Sequence, residues 1–346
     1  MKKILILFLS IFIFATPVSA MEFSAPTVSG EAFTYMPEKV SSFGEDLWYI
    51  VKRALAQLTP SISDAIRICV SVFIIVMLIS LLKDMHGMSS KAVDLAGTIA
   101  VSTTLLMPSN ALIALGVQTV EALSEYGKLL LPVMTAAMAA EGGTVSSAAL
   151  YTGTVVFDAI LITGITKFLV PMLYAFLALS IAKAAIDEQV LGDLQAFFKW
   201  LVAWLLKTSI YLITGYLGIT GVVSGSVDAA ALKATKLAIS SAVPVVGKII
   251  SDASETILVG AGVMKNAAGT YGLLAILATW IGPFLKIGIQ YLMLKLTAAI
   301  CAVFGCKRIV SLMDSFCATM GLLVAATGTV CLLILISTVC FMKGVG

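Results

Sequence analysis

The chain is expected to be all-α: a polytopic helical membrane protein with about seven to eight transmembrane helices, some of them interrupted, and two segments that fit an inverted repeat. Three observations predict this. Of 346 residues, 60% are apolar and only 12% charged, and the mean hydropathy is +1.06, outside the range of soluble domains. Several apolar runs are long enough to cross a hydrocarbon core of about 30 Å. The charges gather in short stretches between those runs, where Lys and Arg set orientation. A formal net charge of +3 carries no nucleic-acid signature, and no nucleic-acid partner is expected.

Residues 1–20 have the form of a signal peptide. Lys2 and Lys3 precede a short apolar core, and Val18-Ser19-Ala20 supplies small residues for cleavage after Ala20. Residues 21–64 then form an exported acidic segment. Within it Leu47, Ile50, Ala54 and Leu58 recur at helical spacing beside Trp48 and Tyr49. That pattern predicts an amphipathic helix, lying on the membrane surface or packed against the protein.

The polytopic domain is expected over 65–346. A first span at 66–82 is followed by Lys83, His86 and Lys91, a basic loop placed inside, and a second at 92–107 is stopped by Pro108. The region 109–146 holds Glu121, Glu125 and Glu141 against Lys128 and reads as an outer loop. The apolar stretch 148–186 is too long for one crossing, so two spans are expected, broken at Lys167 and Pro171. The following loop, with Asp187, Glu188 and Asp193, is placed outside. A span at 196–222 carries Lys199, Lys207 and a glycine ladder, Gly215, Gly218, Gly221 and Gly225, suited to close helix approach. Two further apolar runs, 256–280 and 283–304, lead to the basic pair Lys307-Arg308, and a last span lies within 320–342.

The same interval separates Pro132 from Pro171 and Pro244 from Pro283, within candidate repeat units 129–225 and 241–346. The loop signs make the two units inverted, an arrangement used by transporters whose sites lie at broken helices. Gly282-Pro283 is expected to break its helix, and Lys286 then faces either the freed carbonyls and a polar path, or the membrane surface by snorkelling. Asp158 is the carboxylate best placed inside the membrane, and in the inverted arrangement it packs across from Lys286. The candidate polar-path and helix-break residues are therefore Asp158, Lys167, Pro171, Gly282, Pro283 and Lys286.

An enzyme is hard to assemble from these residues. His86 is the one histidine, and no P-loop, dinucleotide fingerprint, metal motif or serine elbow is present; "GVVSG" at 221–225 matches an intramembrane serine protease only loosely. Cys301, Cys306, Cys317, Cys331 and Cys340 lack metal spacing and suit a buried or lipid-facing role. No catalytic residue, cofactor or metal is expected.

The whole chain resembles the stage III sporulation protein AE family. The stretches that carry the likeness are "LLLPVMTAAMAAEGG" (129–143), "AVPVVGKIISDASETILVGAGVMKNAAGTYG" (242–272) and "IGPFLKIGIQYLMLKLTAAI" (281–300). The resemblance implies a polytopic protein of the mother-cell membrane around the forespore, the permease-like part of a secretion or feeding channel. Its implied partners are the ATPase AA, the ring-forming proteins AG and AH, other membrane subunits of the same operon and, indirectly, forespore protein Q. Membrane lipid is implied as its surroundings, and no site residue is carried over. An autonomous secondary transporter of a small solute and a passive membrane scaffold are the competing readings.

Overall fold

A computed structural model describes residues 26–27, 30–38, 42–84, 90–186, 188–242 and 246–343. The expected signal peptide at 1–20 with its cleavage point after Ala20, and also His86, Asp187 and Pro244, lie outside the described residues. Every regular element among the described residues is helical. Hydrocarbon cannot satisfy a backbone N–H or C=O, so the chain must do so within each segment.

Two short helices come first, α1 (Glu31–Tyr35) and α2 (Phe43–Ala56), then α3 (Thr59–Asp84), α4 (Ser90–Ala140), α5 (Thr144–Gly164), a π-helical turn (Ile165–Leu169), α6 (Val170–Ile186), α7 (Gln189–Ala242), α8 (Val246–Ala302) and α9 (Lys307–Lys343). Six helices among the described residues are long and apolar enough to cross a membrane, with α5, the π turn and α6 counted as one. The number falls below the expected seven or eight because two expected interruptions are absent. The stretch 148–186 does not fold back at Lys167 and Pro171; it stays in one helical rod from Thr144 to Ile186. Gly282-Pro283 does not break α8, which runs through it, as α4 runs through Pro108 and Pro132. A proline deprives one carbonyl of its partner, and with no water competing for the backbone the helix persists through it.

The region 109–146, expected as an outer loop, is mostly the second half of α4. Ile113, Val120, Leu123, Leu130 and Met134 are buried while Glu121 and Glu125 are exposed, a helical period that the acids conceal in a simple count of loop charge. Gly142, at a φ of 102°, ends α4: the Gly143 N–H donates to the Met138 carbonyl at 3.0 Å and the Gly142 N–H to the Ala139 carbonyl at 3.0 Å. A side chain would strain that left-handed position, which is why glycine closes the helix.

Contacts fix the helix directions. Lys83 at the end of α3 pairs with Asp94 near the start of α4 at 2.5 Å. The Thr98 hydroxyl reaches the Ala184 carbonyl on α6 at 3.4 Å, and Phe73 meets Phe304 edge to face at 5.7 Å. The α3–α4, α6–α7 and α8–α9 connections therefore share one end of the bundle. The α6–α7 connection, expected on the opposite side from the Lys83 loop, joins helix ends that lie on the same side. Its carboxylates misled the expectation, because orientation follows Lys and Arg and owes little to Asp and Glu.

The helices that carry Pro171 and Pro283 run the same way. The α5–α6 rod is antiparallel to α4, as Ser124–Asp158 and Thr98–Ala184 show. So is α8, where a Cβ on Gly272 would sit 2.7 Å from Leu130 and Lys286 lies across from Met107 and Pro108. The segments carrying Pro171 and Pro283 are thus parallel, and the inverted relation expected for units 129–225 and 241–346 is not the arrangement found.

At the centre stands α9. Within its apolar window 61% of residues are buried, against 17% to 39% in the other five spans, so it is the helix that the others surround. Close approach is won at Gly116, where any Cβ would collide with Leu323, and at Gly153, where it would collide with Tyr216. Of the expected glycine ladder of α7, Gly215 and Gly218 face open space, and Gly221 and Gly225 lie outside the residues whose surroundings are described. Of the two readings for the expected amphipathic helix, packing holds for α2, whose Ile50 and Ala54 are buried while Trp48 is 66% exposed.

Candidate functional site

Hydroxyl and amide groups inside apolar helices have to find acceptors. Most serine and threonine side chains here donate to the carbonyl one turn back in their own helix, as Ser102 does to Thr98 at 2.6 Å and Thr338 to Ile334 at 2.8 Å. Others bond across helices, and three of these crossings trace a polar seam around α9. Gln195 on α7 donates through Nε2 to Ser180 on α6 at 2.7 Å and to Ser315 on α9 at 2.6 Å. Trp280 on α8 donates to Thr327 at 3.2 Å. Thr154 on α5 donates to Ser337 at 3.0 Å. From Ser315 to Ser337 the seam covers about 33 Å of helix axis, close to one hydrocarbon thickness.

A further crossing, between α4 and α5, holds Asp158. Ser124 Oγ on α4 donates to Asp158 Oδ2 at 2.7 Å, and the residue is 6% exposed. Its Oδ1 is buried with no hydrogen-bond partner. Lys128, one turn along α4 from Ser124, is exposed and acts on Asp158 through its charge. Asp158 is the expected intramembrane carboxylate, and the structure buries it. It does not place Asp158 across from Lys286, because α5 presents Asp158 to α4 whereas Lys286 projects between α3 and α4. The expected pair depended on the inverted arrangement and falls with it.

Lys286 and Gln290 on α8 line a cleft of about 400 Å³ with Ser61, Asp64 and Arg67 of α3 and Met107, Pro108, Ala111 and Leu112 of α4. Gly282 is buried beneath Tyr35 of α1, 3.0 Å from its hydroxyl oxygen to a built Cβ. Pro283 is a continuing helix residue. Lys167 and Pro171 are exposed, Lys167 inside the π turn. A second, smaller cavity of about 260 Å³, between α6, α7 and α9, gathers Lys183, Gln195, Lys199 and Asp314; Asp314 also pairs with Lys295 of α8 at 2.6 Å. Among the described residues no group of His, Cys, Asp or Glu could hold a metal ion.

Sequence reasoning passed over Lys265. It is 1% exposed, on α8, and pairs with Glu141 at the α4–α5 turn. Glu141 had been counted only as loop charge. A lone lysine opening a long apolar run, with one acid left at a Gly-Gly turn, is the signal that could have joined them, but only once α4 and α8 are known to be neighbours.

The family model for stage III sporulation protein AE matches residues 34–344. The chain belongs to the stage III sporulation protein AE family. It is similar to the stage III sporulation protein AE of Bacillus subtilis (strain 168), with 21% identity over 222 residues, covering 64% of this chain and 55% of that protein. The chain thus matches little more than half the length of that curated relative. No solved structure matches it. The family match begins within α1 and takes in α2 and the spanning helices.

Proposed function

We propose that this sporulation membrane protein is the permease-like component of a secretion or feeding channel between mother cell and forespore, seated in the mother-cell membrane around the forespore. It works with the ATPase AA, the ring-forming proteins AG and AH, other membrane subunits of the operon and, through them, forespore protein Q. The observation that carries the reading is Asp158, a buried carboxyl with one oxygen unmatched, beside a polar seam as long as a bilayer is thick. A carboxylate in the middle of an apolar helix costs at least about 2.5 kcal/mol on insertion scales. A passive scaffold has no use for that cost, whereas a protein that passes polar cargo does. The sequence has no nucleotide-binding motif, which fits energy supplied by a partner.

Asp158→Asn keeps the Ser124 contact and removes the charge. The expected outcome is membrane-inserted protein at normal level with spore yield reduced at least tenfold, and reconstituted flux that requires the ATPase partner. Normal spore yield from Asp158→Asn sinks the reading, and solute flux by the purified protein alone favours an autonomous transporter.

A further inference from the structure

We propose that the cavity between α6, α7 and α9 binds a phosphate group carrying two negative charges, on a lipid or on a small solute. Gln195 and Ser315 in its floor also belong to the seam, but the proposal concerns binding alone and does not rest on the channel reading. At about 260 Å³ the cavity falls just short of the range, from about 300 Å³ upward, that drug-sized ligands fill. It suits one small anion.

Its cations come from two helices. Lys183, near the end of α6, lies over Gly192 of α7, where a built Cβ would stand 3.0 Å from the lysine Nζ and 3.1 Å from its Cε. Glycine leaves the space that the lysine stem occupies. Lys199 stands about two turns further along α7, and because Cα–Cβ bonds tilt toward the N-terminus of their helix, its side chain leans back toward Gly192 and the cavity. The floor is held in place by Gln195, 8% exposed, whose amide donates to Ser180 and Ser315 and so ties the three helices together. Ala196 and Ala318 keep the walls back from the hollow.

Charge selects the ligand. Asp314 is the carboxylate in the lining, and it accepts from Lys295 at 2.6 Å, so that pair cancels. Among the described residues Lys183 and Lys199 have no ion-pair partner, which leaves two positive charges. Glu188 and Asp193 are exposed and line no part of the cavity. A phosphomonoester carries about −1.5 to −2 at neutral pH, whereas a phosphodiester carries only one negative charge. Lysines meet phosphate as point charges, and the Ser311 hydroxyl at the rim is a further donor. Trp200 and Trp204 follow Lys199 along α7, exposed and stacked with ring centroids 6.2 Å apart. Such rings gather at the headgroup level of a bilayer, which puts the cavity within reach of a lipid phosphate as well as of a solute.

Native mass spectrometry of the full-length protein in detergent tests this, with phosphatidic acid, phosphatidylglycerol and phosphatidylcholine of the same acyl chains, and free glycerol phosphate as probes. The expected result is one retained phosphomonoester, whether phosphatidic acid, glycerol phosphate or both, with occupancy lowered about fivefold in Lys183→Gln and in Lys199→Gln. Retention of phosphatidic acid alone assigns the site to lipid, and binding of glycerol phosphate alone assigns it to a solute. Lys207→Gln, which removes an exposed lysine of α7 outside the cavity, should leave occupancy unchanged. Retention of neither phosphomonoester, equal retention of phosphatidylglycerol or phosphatidylcholine, an equal loss in Lys207→Gln, or unchanged occupancy in a cavity variant overturns the proposal. Should Lys183→Gln fail to fold, Lys199→Gln decides, since Lys199 is exposed.

Discussion

Pro171 and Pro283 sit in similar local sequence, "FLVPML" and "WIGPFL", yet the helices around them respond differently. Ahead of Pro171 the rod widens into the π turn Ile165–Leu169, where the Val170 N–H donates to the Ile165 carbonyl five residues back. Around Pro283, α8 keeps its α-helical ladder on both sides. The neighbours explain the difference. Lys167, Phe168 and Pro171 are exposed, so the extra residue of a π turn can bulge outward without meeting another helix. Gly282 lies under Tyr35, and Trp280 stacks on Phe284 with ring centroids 4.4 Å apart, leaving no room for a bulge. Proline removes one donor in both places, and packing decides where the slack goes.

The largest test of this contrast is deletion of one residue at each site. A π turn holds one residue more than the α ladder needs, so removing Thr166 lets the segment relax to α-helix with both flanks in phase. Removing Leu285 has no such reserve. It rotates everything from Lys286 to Ala302 by about 100°, turning buried Gln290, Leu294, Ala298 and Cys301 away from α9 and α3. The expected outcome is folded, membrane-extracted protein for the Thr166 deletion and none for the Leu285 deletion, by size exclusion and thermal melting in detergent. Loss of both, or survival of both, breaks the comparison.

A second test presses on Gly282 itself. Any side chain there enters the space of Tyr35, whose ring atoms Cε2 and Cζ would be 3.1 and 3.3 Å from the new Cβ. Gly282→Leu should cost about 1 to 3 kcal/mol by overpacking, and Tyr35→Ala in the same chain should recover most of it. Gly164, one residue before the π turn, meets nothing within 4 Å, so Gly164→Leu should not cost stability. If Tyr35→Ala gives no recovery, α1 is not what fixes Gly282.

These differences mark where sequence was legible. Composition and run length suffice for an all-helical membrane bundle, and Asp158 stands out as a charge with no polar neighbours in the chain. What could not be read was which interruptions are turns. The helices outrun the bilayer, the rod from Thr144 to Ile186 being about 65 Å long, so length alone wrongly demanded a fold-back at Pro171. The side of the α6–α7 connection was misassigned because Glu188 and Asp193 were given the weight that only Lys and Arg deserve. Lys265–Glu141 and the Lys286 cleft depend on which helices are neighbours, and that follows from many small packing choices such as Gly116 against Leu323, none of which is visible as a motif.

The smallest expected effect comes from the prolines themselves. In α8, Pro283 leaves the Thr279 carbonyl without its usual donor, and the Thr279 hydroxyl is already committed to the Ala275 carbonyl at 2.8 Å. Pro283→Ala restores a backbone hydrogen bond inside an intact ladder, a net gain of about 0.5 to 1.5 kcal/mol. At Pro171 the ladder has already shifted to five-residue bonds, so a new N–H at 171 meets carbonyls that are displaced from the α-helical position. Pro171→Ala should therefore gain little or nothing, because collapse of the π turn with no residue removed would rotate α5 against α6 by about 100° and break either Gln195–Ser180 or Ser124–Asp158. Melting temperatures of the two variants in the same detergent separate these outcomes: a rise in Pro283→Ala alone supports two different helical solutions, and an equal rise in both means that the two prolines are equivalent after all.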